Sequence, residues 1–365
     1  MLNGVPGVYL YFTKQAFFHT IAVLSKEPCK EPFMAAQNNA PLPDGLEIAG
    51  YRIVKKIASG GFSIVYLAHD EDGNAVAIKE YLPSVLALRQ PGEVIPIVAP
   101  VHLASFRSGL KCFFEEGRAL ARISHPNVVR VLNFFRANQT VYMVMAYESG
   151  HSLQEHIARL NAKGSKPAEA LLRQIFIGVC DGLREVHANK LLHLDLKPAN
   201  IYLRTDGVPI LLDFGAARQT LNADVPKITP MYTPGFAPPD LYSKAAVLGP
   251  WSDIYSVGAA LFACMAGVAP QPADQRKNDD KMEVHYAALV AHYSPQLVRM
   301  VRACLELDPL ARPQSVFALQ KVLQAAPVPA APDSAAGAAA TLAGRWRSLA
   351  GRLGSLGRKS SPGKR

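Results

Sequence analysis

The sequence is poor in cysteine, and its few cysteines are widely spaced. Five occur in 365 residues, and none forms the C-x-x-C pair that metal sites commonly use. An odd, scattered set argues against a disulfide framework and against a thiolate metal site. The chain is therefore expected in a reducing compartment, and the predicted location is cytoplasmic.

Long uninterrupted hydrophobic runs are also missing. The most apolar stretch, residues 8–24, is broken by Lys14, Gln15 and His19, which makes it too short and too polar for a membrane span. It lacks the basic start and the small-residue cleavage site of a signal peptide. Three interpretations stay open: an interfacial anchor, a pro-segment or docking arm, or non-native sequence upstream of Met34, where an ordinary polar start would begin.

Charged residues are sparse and unevenly placed. They make up 19% of the chain, and the formal net charge is +10. Residues 326–365 hold seven Lys or Arg and one acid, a net charge of +6, so +4 remains for residues 1–325. Because the basic character belongs mainly to the tail, the sequence predicts no nucleic-acid-binding surface and no nucleic-acid partner.

The tail itself has two parts. Residues 326–341 are rich in proline and alanine and are typical of a linker. Large apolar residues then recur at spacings of four and three, as on one face of a helix: Leu342, Trp346, Leu349, Leu353 and Leu356. A basic helix of this kind at 342–365 would suit an anionic membrane surface, with peripheral attachment, or a partner groove. Glycines within the same stretch favour the alternative, a disordered basic tail.

The region after residue 50 shows strand patterns around a glycine pair. The stretch YRIVKKIASGGFSIVYLAHD alternates apolar and polar residues on both sides of Gly60 and Gly61, as two strands joined by a loop do. The backbone N–H groups of such a loop can approach phosphates closely. The next strand, AVAIKEYL, carries Lys79 among apolar neighbours, where a lysine requires an anionic partner.

A helical pattern then supplies a carboxylate, and the second half supplies further polar groups. Glu116 lies in the helical stretch FFEEGRALARI, which is followed by two strand patterns, VVRVLNFF and TVYMVMAY. These elements predict a small antiparallel sheet with one helix. A long amphipathic helix over 167–190 follows, then the stretch LLHLDLKPANIYL, and then a strand that ends at Asp213.

In this order, the motifs resemble those of protein kinases, which combine a glycine loop, a strand lysine, an H-x-D-x-x-x-x-N loop and D-F-G. TPGFAPPD resembles the end of an activation segment, and LDPLARP resembles the segment whose arginine closes the large lobe. The resemblance covers about residues 47–323. KEYLPS, NIYL and a long insert after Lys79 are most similar to the eukaryotic-like serine/threonine kinases of bacteria.

The resemblance implies an α+β, bilobal fold with a small antiparallel-sheet N-lobe, one main helix in that lobe, and a larger, mostly helical C-lobe. It divides the chain into an N-terminal extension at 1–46, an N-lobe with the hinge at 47–148, a C-lobe at 149–325, and the linker with its basic tail at 326–365. It also implies ATP and Mg²⁺ as cofactors, and protein substrates phosphorylated on serine or threonine.

The same resemblance assigns the catalytic and metal positions. Asp195 orients the substrate hydroxyl or accepts its proton, and Lys197 steadies the γ-phosphate where negative charge must be held. Asn200 and Asp213 bind Mg²⁺, a cation that prefers oxygen ligands. The lysine two positions after the aspartate is typical of serine/threonine kinases.

Nucleotide-binding positions are assigned in the same way. Lys79 holds the α- and β-phosphates and is oriented by Glu116. The positions around the base and the phosphates are Gly60 and Gly61 in the loop, Val65 and Ala77 above the base, Met145 as gatekeeper, Ala146 to Glu148 as the hinge, and Tyr202 or Leu203 below the base.

Other motif positions are interpreted as structural. The resemblance implies that His193 and Phe214 stack together, with Leu120 beside them, and that Asp253 holds the backbone of the catalytic loop. Arg312 is expected to pair with an acid at position 240. Asp240 stands there in place of the usual glutamate and is one methylene shorter.

Three further departures from the family pattern bear on function. Ala58 and Ser63 stand where glycines usually lie, which makes the loop stiffer and predicts modest nucleotide affinity. Leu194 stands where many kinases carry an arginine that binds an activation-loop phosphate. The segment from Asp213 to Asp240 offers four hydroxyls: Thr220, Thr229, Tyr232 and Thr233. Thr233 fits the threonine that contacts the catalytic aspartate, so activity without loop phosphorylation is predicted.

Three functional hypotheses follow from these patterns. The first is an active serine/threonine protein kinase. The second is a pseudokinase scaffold, which the altered glycine loop favours slightly and the intact Lys79, Asp195 and Asp213 disfavour. The third is a small-molecule phosphotransferase of the same fold, which commonly lacks both Lys197 and the PGFAPPD segment.

Overall fold

The computed structural model describes residues 39–214, 233–243 and 246–325, and these residues form two lobes. The N-lobe sheet is antiparallel, with the strand order β1–β2–β3–β4–β8–β7. Its strands are β1 Glu47–Ile48, β2 Tyr51–Ser59, β3 Ser63–His69, β4 Ala75–Tyr81, β7 Val131–Ala137 and β8 Thr140–Ala146. Helix α1, Leu103–Leu120, is the main helix of this lobe.

The pleat of the sheet separates two kinds of side chain. On β3, every second residue is buried, as the alternating sequence predicts. Strand register places Val65 opposite Lys79, and Ala77 opposite Met145, so these side chains share one face. Glu80 therefore points to the opposite face of β4, away from Lys79.

An insert covers this outer face of the sheet. It follows β4 and contains a two-stranded hairpin, β5 Ala87–Leu88 and β6 Ile97–Val98, before α1 begins. Arg89 of the insert and Glu80 of β4 are fully buried and form a bidentate ion pair, with N–O distances of 2.6 and 2.8 Å. The hydroxyls of Tyr66 and Tyr142 also donate to Glu80, at 2.8 and 2.9 Å. No sequence pattern had indicated this network.

The same arginine holds the segment that precedes the sheet. Arg89 Nε donates to the Ala40 carbonyl at 2.9 Å, and the Asn39 side chain accepts from the Arg89 backbone N–H at 2.7 Å. Leu42 is buried, and its N–H donates to the Tyr66 hydroxyl at 3.1 Å. Residues 39–42, at the end of the stretch assigned to the N-terminal extension, thus pack on the outer face of the sheet.

The C-lobe is mostly helical, as predicted. Its helices are α2 Leu153–Ala162, α3 Glu169–Ala188, α4 Pro250–Ala266, α5 Ala273–Arg276, α6 Met282–Val290, α7 Pro295–Cys304 and α8 Val316–Gln324. A small sheet joins β9 Gly150–Ser152, β10 Ile201–Arg204 and β11 Pro209–Leu211. Helix α4 is buried along its whole length from Ser252 to Met265, so it is the centre of the lobe.

The expected closing ion pair of the C-lobe is present. Arg312 donates to both carboxylate oxygens of Asp240, at 2.9 and 3.0 Å, and both side chains are buried. The shorter aspartate side chain therefore reaches the arginine. Ser252 at the start of α4 also donates to Asp240, at 2.8 Å.

Several predicted features lie outside the described residues. They are the apolar stretch 8–24, the linker and basic tail at 326–365, Gly215, and the hydroxyls Thr220, Thr229 and Tyr232. Among the residues that the structure describes, no helix combines the length and apolar character that crossing a membrane requires.

Candidate active site

The catalytic loop is shaped by a buried carboxylate of α4. Asp253 accepts hydrogen bonds from the backbone N–H groups of His193 and Leu194, at 2.9 and 2.8 Å, and contacts His187 Nε2 at 2.8 Å. The expected role of Asp253 is thus confirmed. Leu194 adopts a φ of 61°, which a leucine rarely does, and these bonds hold it there. The Leu194 side chain is buried and apolar, so this position of the loop carries no positively charged side chain.

His193 lies beneath the loop and contacts the strand that leads to Asp213. Its ring packs on Phe214 with 4.4 Å between centroids, and its Nε2 lies 3.1 Å from the Leu212 carbonyl oxygen. Burial lowers the pKa of His193, which favours a neutral ring here. The predicted stacking of His193 and Phe214 is confirmed.

Three polar side chains converge on Asp195. The Thr233 hydroxyl donates to Oδ1 at 2.9 Å, and Lys197 Nζ lies 3.0 and 2.8 Å from the two carboxylate oxygens. Lys197 also donates to Thr233, at 2.8 Å. Asn200 Nδ2 donates to the Asp195 side chain at 3.1 Å and to its backbone carbonyl at 2.8 Å. The contact expected between Thr233 and the aspartate is confirmed.

The orientation of Asn200 suits a metal ligand. Because its amide nitrogen donates to Asp195, its Oδ1 atom is the one left to face the cleft. Asp213 supplies carboxylate oxygens at the end of the segment that follows β11, and its φ of 58° places it at a sharp backbone bend. Two oxygen donors on neighbouring segments fit Mg²⁺, which keeps water in its remaining positions.

The partner of Lys79 differs from the expected one. Lys79 forms its ion pair with Asp213, not with Glu116. Glu116 lies on α1 in the same electrostatic cluster, but its Oε1 is buried without a hydrogen-bond partner among the described residues. Two carboxylates compete for one ammonium group. Lys79 pairs with Asp213, and burial without a hydrogen-bond partner favours the neutral form of Glu116.

The pKa values of this cluster follow from burial and charge. Burial disfavours the charge on Lys79, but the carboxylates of Asp213 and Glu116 more than offset it, so the pKa of Lys79 is raised. The Lys79 ammonium lowers the pKa of Asp213. For Glu116, burial raises the pKa to about 8, which Lys79 opposes and Asp213 reinforces.

This raised pKa predicts a pH-dependent stability. Because the folded chain binds a proton at Glu116 more tightly than the unfolded chain, the stability that Glu116 contributes is complete below its ordinary pKa of 4.5 and is lost as pH rises to about 8. A Glu116→Gln variant cannot titrate there. We expect the wild type to lose stability relative to this variant across that window, by at most about 1.4 kcal/mol per pH unit. Urea unfolding of both proteins across the window measures it, and parallel curves would contradict it.

The other predicted nucleotide residues line the same cleft. Val65 and Met145 are half-buried and Ala77 is buried, all on the cleft face of the sheet. Tyr202 is half-buried on β10 in the opposite lobe, next to the buried Leu203. Ala146 ends β8, where its N–H donates to the Arg130 carbonyl. Within the described chain, the N–H and carbonyl of Glu148 make no backbone hydrogen bond, which leaves them available to a base.

The glycine loop is exposed and uncrowded. Gly60 and Gly61 are exposed, and a Cβ on Gly60 would meet no atom within 4 Å. The carbonyls of Gly61 and Phe62 accept from the N–H groups of Ser84 and Leu82, each at 2.9 Å. The start of the insert therefore holds the tip of the loop. Sequence reasoning missed this role of Ser84, although KEYLPS was singled out.

A small antiparallel-sheet lobe, a helical lobe and this constellation between them are the architecture of a protein kinase. The protein kinase domain family matches residues 51–325, and the chain belongs to that family. The expected fold and the expected family are both confirmed.

Relatives among curated proteins are kinases of several kingdoms. The chain is 28% identical over 294 residues to serine/threonine-protein kinase B of Synechocystis sp., and the match covers 78% of this chain and 47% of that protein. It is 27% identical over 285 residues to serine/threonine-protein kinase PknA of Nostoc sp., covering 75% and 47%. It is also 28% identical over 274 residues to serine/threonine-protein kinase Nek3 of Mus musculus, covering 74% and 48%. The chain spans about half the length of these relatives.

Solved structures show the same fold. The structure described as PpkA-294 in its apo form is 33% identical, with a TM-score of 0.69, and the match covers 79% of this chain and 100% of that one. The kinase domain of Mycobacterium tuberculosis PknI, solved as a mutant, matches with a TM-score of 0.57 and covers 78% and 97%. At 21% identity, the PknI likeness shows the fold alone.

Proposed function

We propose that this chain is a serine/threonine protein kinase that transfers the γ-phosphate of ATP to protein hydroxyls with the aid of Mg²⁺. The observation that carries the proposal is the hydrogen bond from the Thr233 hydroxyl to Asp195 Oδ1, at 2.9 Å. Through this bond Asp195 already accepts from an aliphatic hydroxyl in the cleft. Lys197 lies within hydrogen-bond distance of both groups.

The chemistry assigned to each residue follows from this arrangement. As the acceptor oxygen bonds to the γ-phosphorus, the bond from that phosphorus to the bridging oxygen of ADP breaks, and ADP takes the electron pair. The hydroxyl proton passes to the Asp195 carboxylate. Lys197, held 2.8 Å from Asp195, places a positive charge beside the transferring group. Lys79 binds the other phosphates, which are anionic partners like the Asp213 carboxylate it binds here.

The divalent cation has a defined place in this proposal. Asn200 Oδ1 and the Asp213 carboxylate would hold Mg²⁺, and the bound ion would offset negative charge on the phosphates. Asp195 fixes the Asn200 amide by accepting from Nδ2, so the oxygen needs no reorientation to bind.

One experiment separates this proposal from its two rivals. The purified full chain is incubated with γ-labelled ATP and Mg²⁺, with generic protein substrate and with small hydroxyl acceptors, alongside Asp195→Asn. Label on protein serine or threonine that is lost in the variant supports the kinase. Absence of ATP turnover under any condition would support the scaffold instead, and turnover only with small acceptors would support a small-molecule phosphotransferase.

Within the proposed function, we expect activity that does not depend on activation-loop phosphorylation. Leu194 is buried where a phosphate-binding arginine would otherwise stand, and Thr233 is engaged by Asp195 and Lys197. Phosphatase-treated protein should therefore retain its kinase activity. Complete loss that returns only after rephosphorylation of the loop would contradict this expectation.

The location and partners proposed for the chain rest on its sequence. Residues 342–365 would bind an anionic membrane through a basic amphipathic helix and place a cytoplasmic kinase at the membrane periphery. Vesicles that contain anionic lipid should then bind the full chain better than a chain ending at residue 341. Equal binding of the two would dispose of membrane docking through the tail.

A further inference from the structure

The C-lobe carries a surface groove of about 210 Å³ between helices α6 and α7. Its lining from α7 recurs at positions three and four residues apart, which is one helical face. Its lining includes Glu283, Tyr286 and Val290 of α6, and Val298, Arg299 and Arg302 of α7. One end of the groove lies at the turn between the two helices, where Val290 and Pro295 meet it.

The groove combines an apolar floor with one unpaired cation. Val290 is 48% exposed although it is aliphatic. Arg302 is already engaged, since its guanidinium bonds Glu283 and lies 5.5 Å from the Tyr286 ring. Arg299 is exposed and has no hydrogen-bond or ion-pair partner in the described part of the chain. The groove therefore suits an apolar segment that carries one acid.

The last described residue lies next to this groove. Arg173 of α3 donates to the Ala325 carbonyl at 3.1 Å and to the Ser294 hydroxyl at 3.3 Å. Ser294 caps the N-terminus of α7, directly before Pro295. Because Arg173 bonds both the Ala325 carbonyl and the Ser294 hydroxyl, the linker starts close to the α6–α7 turn, at one end of the groove.

We propose that residues 326–333 of the linker dock in the α6–α7 groove, with the Asp333 carboxylate paired to Arg299. Residues 326–332, APVPAAP, are apolar, and their three prolines restrict the backbone, which lowers the entropic cost of docking. Asp333 is the one acid of residues 326–365. Its charge thus matches the unpaired cation of the groove.

The linker is long enough to make this contact without strain. From Ala325 to Asp333 the chain advances eight residues, which would reach about 25 Å in a polyproline conformation, so the segment can turn within the groove and still reach Arg299. Along α7, Arg299 lies four residues beyond Pro295, or about 6 Å of helix. Docking would fix the point from which the basic tail leaves the C-lobe.

Charge reversal in the full chain tests the contact. Elastase cuts after small apolar residues that are not followed by proline, which within 326–333 leaves the bond between Ala330 and Ala331. The ratio of cleavage at this bond to cleavage within 335–340 reports protection of the docked part against an internal reference. We expect Arg299→Glu to raise this ratio about fivefold, as loss of an ion pair worth about 1 kcal/mol would. The double variant Arg299→Glu with Asp333→Arg should restore the ratio to about the wild-type value.

A matched control and a second measurement complete the test. Arg118→Glu makes the same charge change at an exposed N-lobe position and should leave the ratio unchanged. In Arg299→Lys, a carbodiimide should join the lysine to Asp333 as an amide, recovered as one cross-linked peptide. An unchanged ratio in Arg299→Glu, a double variant that stays unprotected, or the absence of that peptide would each overturn the proposal.

Discussion

The substitution Asp195→Asn is expected to reduce phosphoryl transfer to protein by about 10²- to 10⁴-fold, which is the contribution typical of a positioned acid–base group. The amide has nearly the same size as the carboxylate, but it cannot take the proton of the acceptor hydroxyl. It also leaves Lys197, now 2.8 Å from the carboxylate, without its anionic partner. Because the Asp195 side chain is partly exposed, the folded state should keep a similar melting temperature.

The matched control is Asp206→Asn. Asp206 lies in the exposed turn between β10 and β11, where it pairs with Arg204, and it makes no contact with the cleft cluster. The same chemical change there should leave transfer within about a factor of two, because surface substitutions away from a site have small effects. Phosphoryl transfer is measured by label incorporation at saturating ATP. Equal losses of transfer in the two variants would show that Asp195 does not take part in the proposed chemistry.

The largest effect on stability is expected from Arg89→Met. This change leaves the Glu80 carboxylate buried with two tyrosine donors but without a cation, and breaking a buried ion pair in this way costs about 3–5 kcal/mol. It also removes the bonds from Arg89 to the Ala40 and Val94 carbonyls. The free energy of unfolding from urea titration measures the loss.

A second variant separates charge burial from packing. In Glu80→Gln with Arg89→Met, no uncompensated charge remains, and the glutamine oxygen still accepts from Tyr66 or Tyr142. We expect the double variant to recover more than half of the stability lost by Arg89→Met. Arg118→Met, at an exposed ion pair, should cost no more than about 1 kcal/mol. A double variant as unstable as Arg89→Met would show that the stability is lost mainly through packing and not through the uncompensated charge.

The strands of the N-lobe could be predicted because their side chains alternate in kind. On β3 burial alternates from residue to residue, although Val65 and Leu67 on the less buried face are also apolar. Strand β4 is different, since it is buried on both faces although it carries adjacent charges at Lys79 and Glu80. The sequence predicted an anionic partner for Lys79, but no cationic partner was predicted for Glu80. The partner, Arg89, stands in the insert, where no periodic pattern marks it as buried.

The catalytic loop could be predicted because its groups lie close together in sequence. Asp195, Lys197 and Asn200 meet as the resemblance to protein kinases implied, and Thr233 joins them from a distant motif. The partner of Lys79 could not be predicted in the same way. Whether Asp213 or Glu116 pairs with Lys79 depends on where the folded chain places the two carboxylates relative to the ammonium group. That is a property of the folded cleft, which spacing along the chain does not contain.

The contact between Asp253 and the catalytic loop bears on how the protein is made. The two N–H groups that Asp253 binds belong to residues 60 and 59 positions earlier in the chain. During synthesis, which proceeds at about 5–20 residues per second, the loop leaves the ribosome several seconds before its organising carboxylate does. Until then, Leu194 lacks the bond that holds its unusual backbone geometry. A nascent chain that ends between Asn200 and Asp253 thus carries Asp195, Lys197 and Asn200 of the loop but not the carboxylate that shapes it.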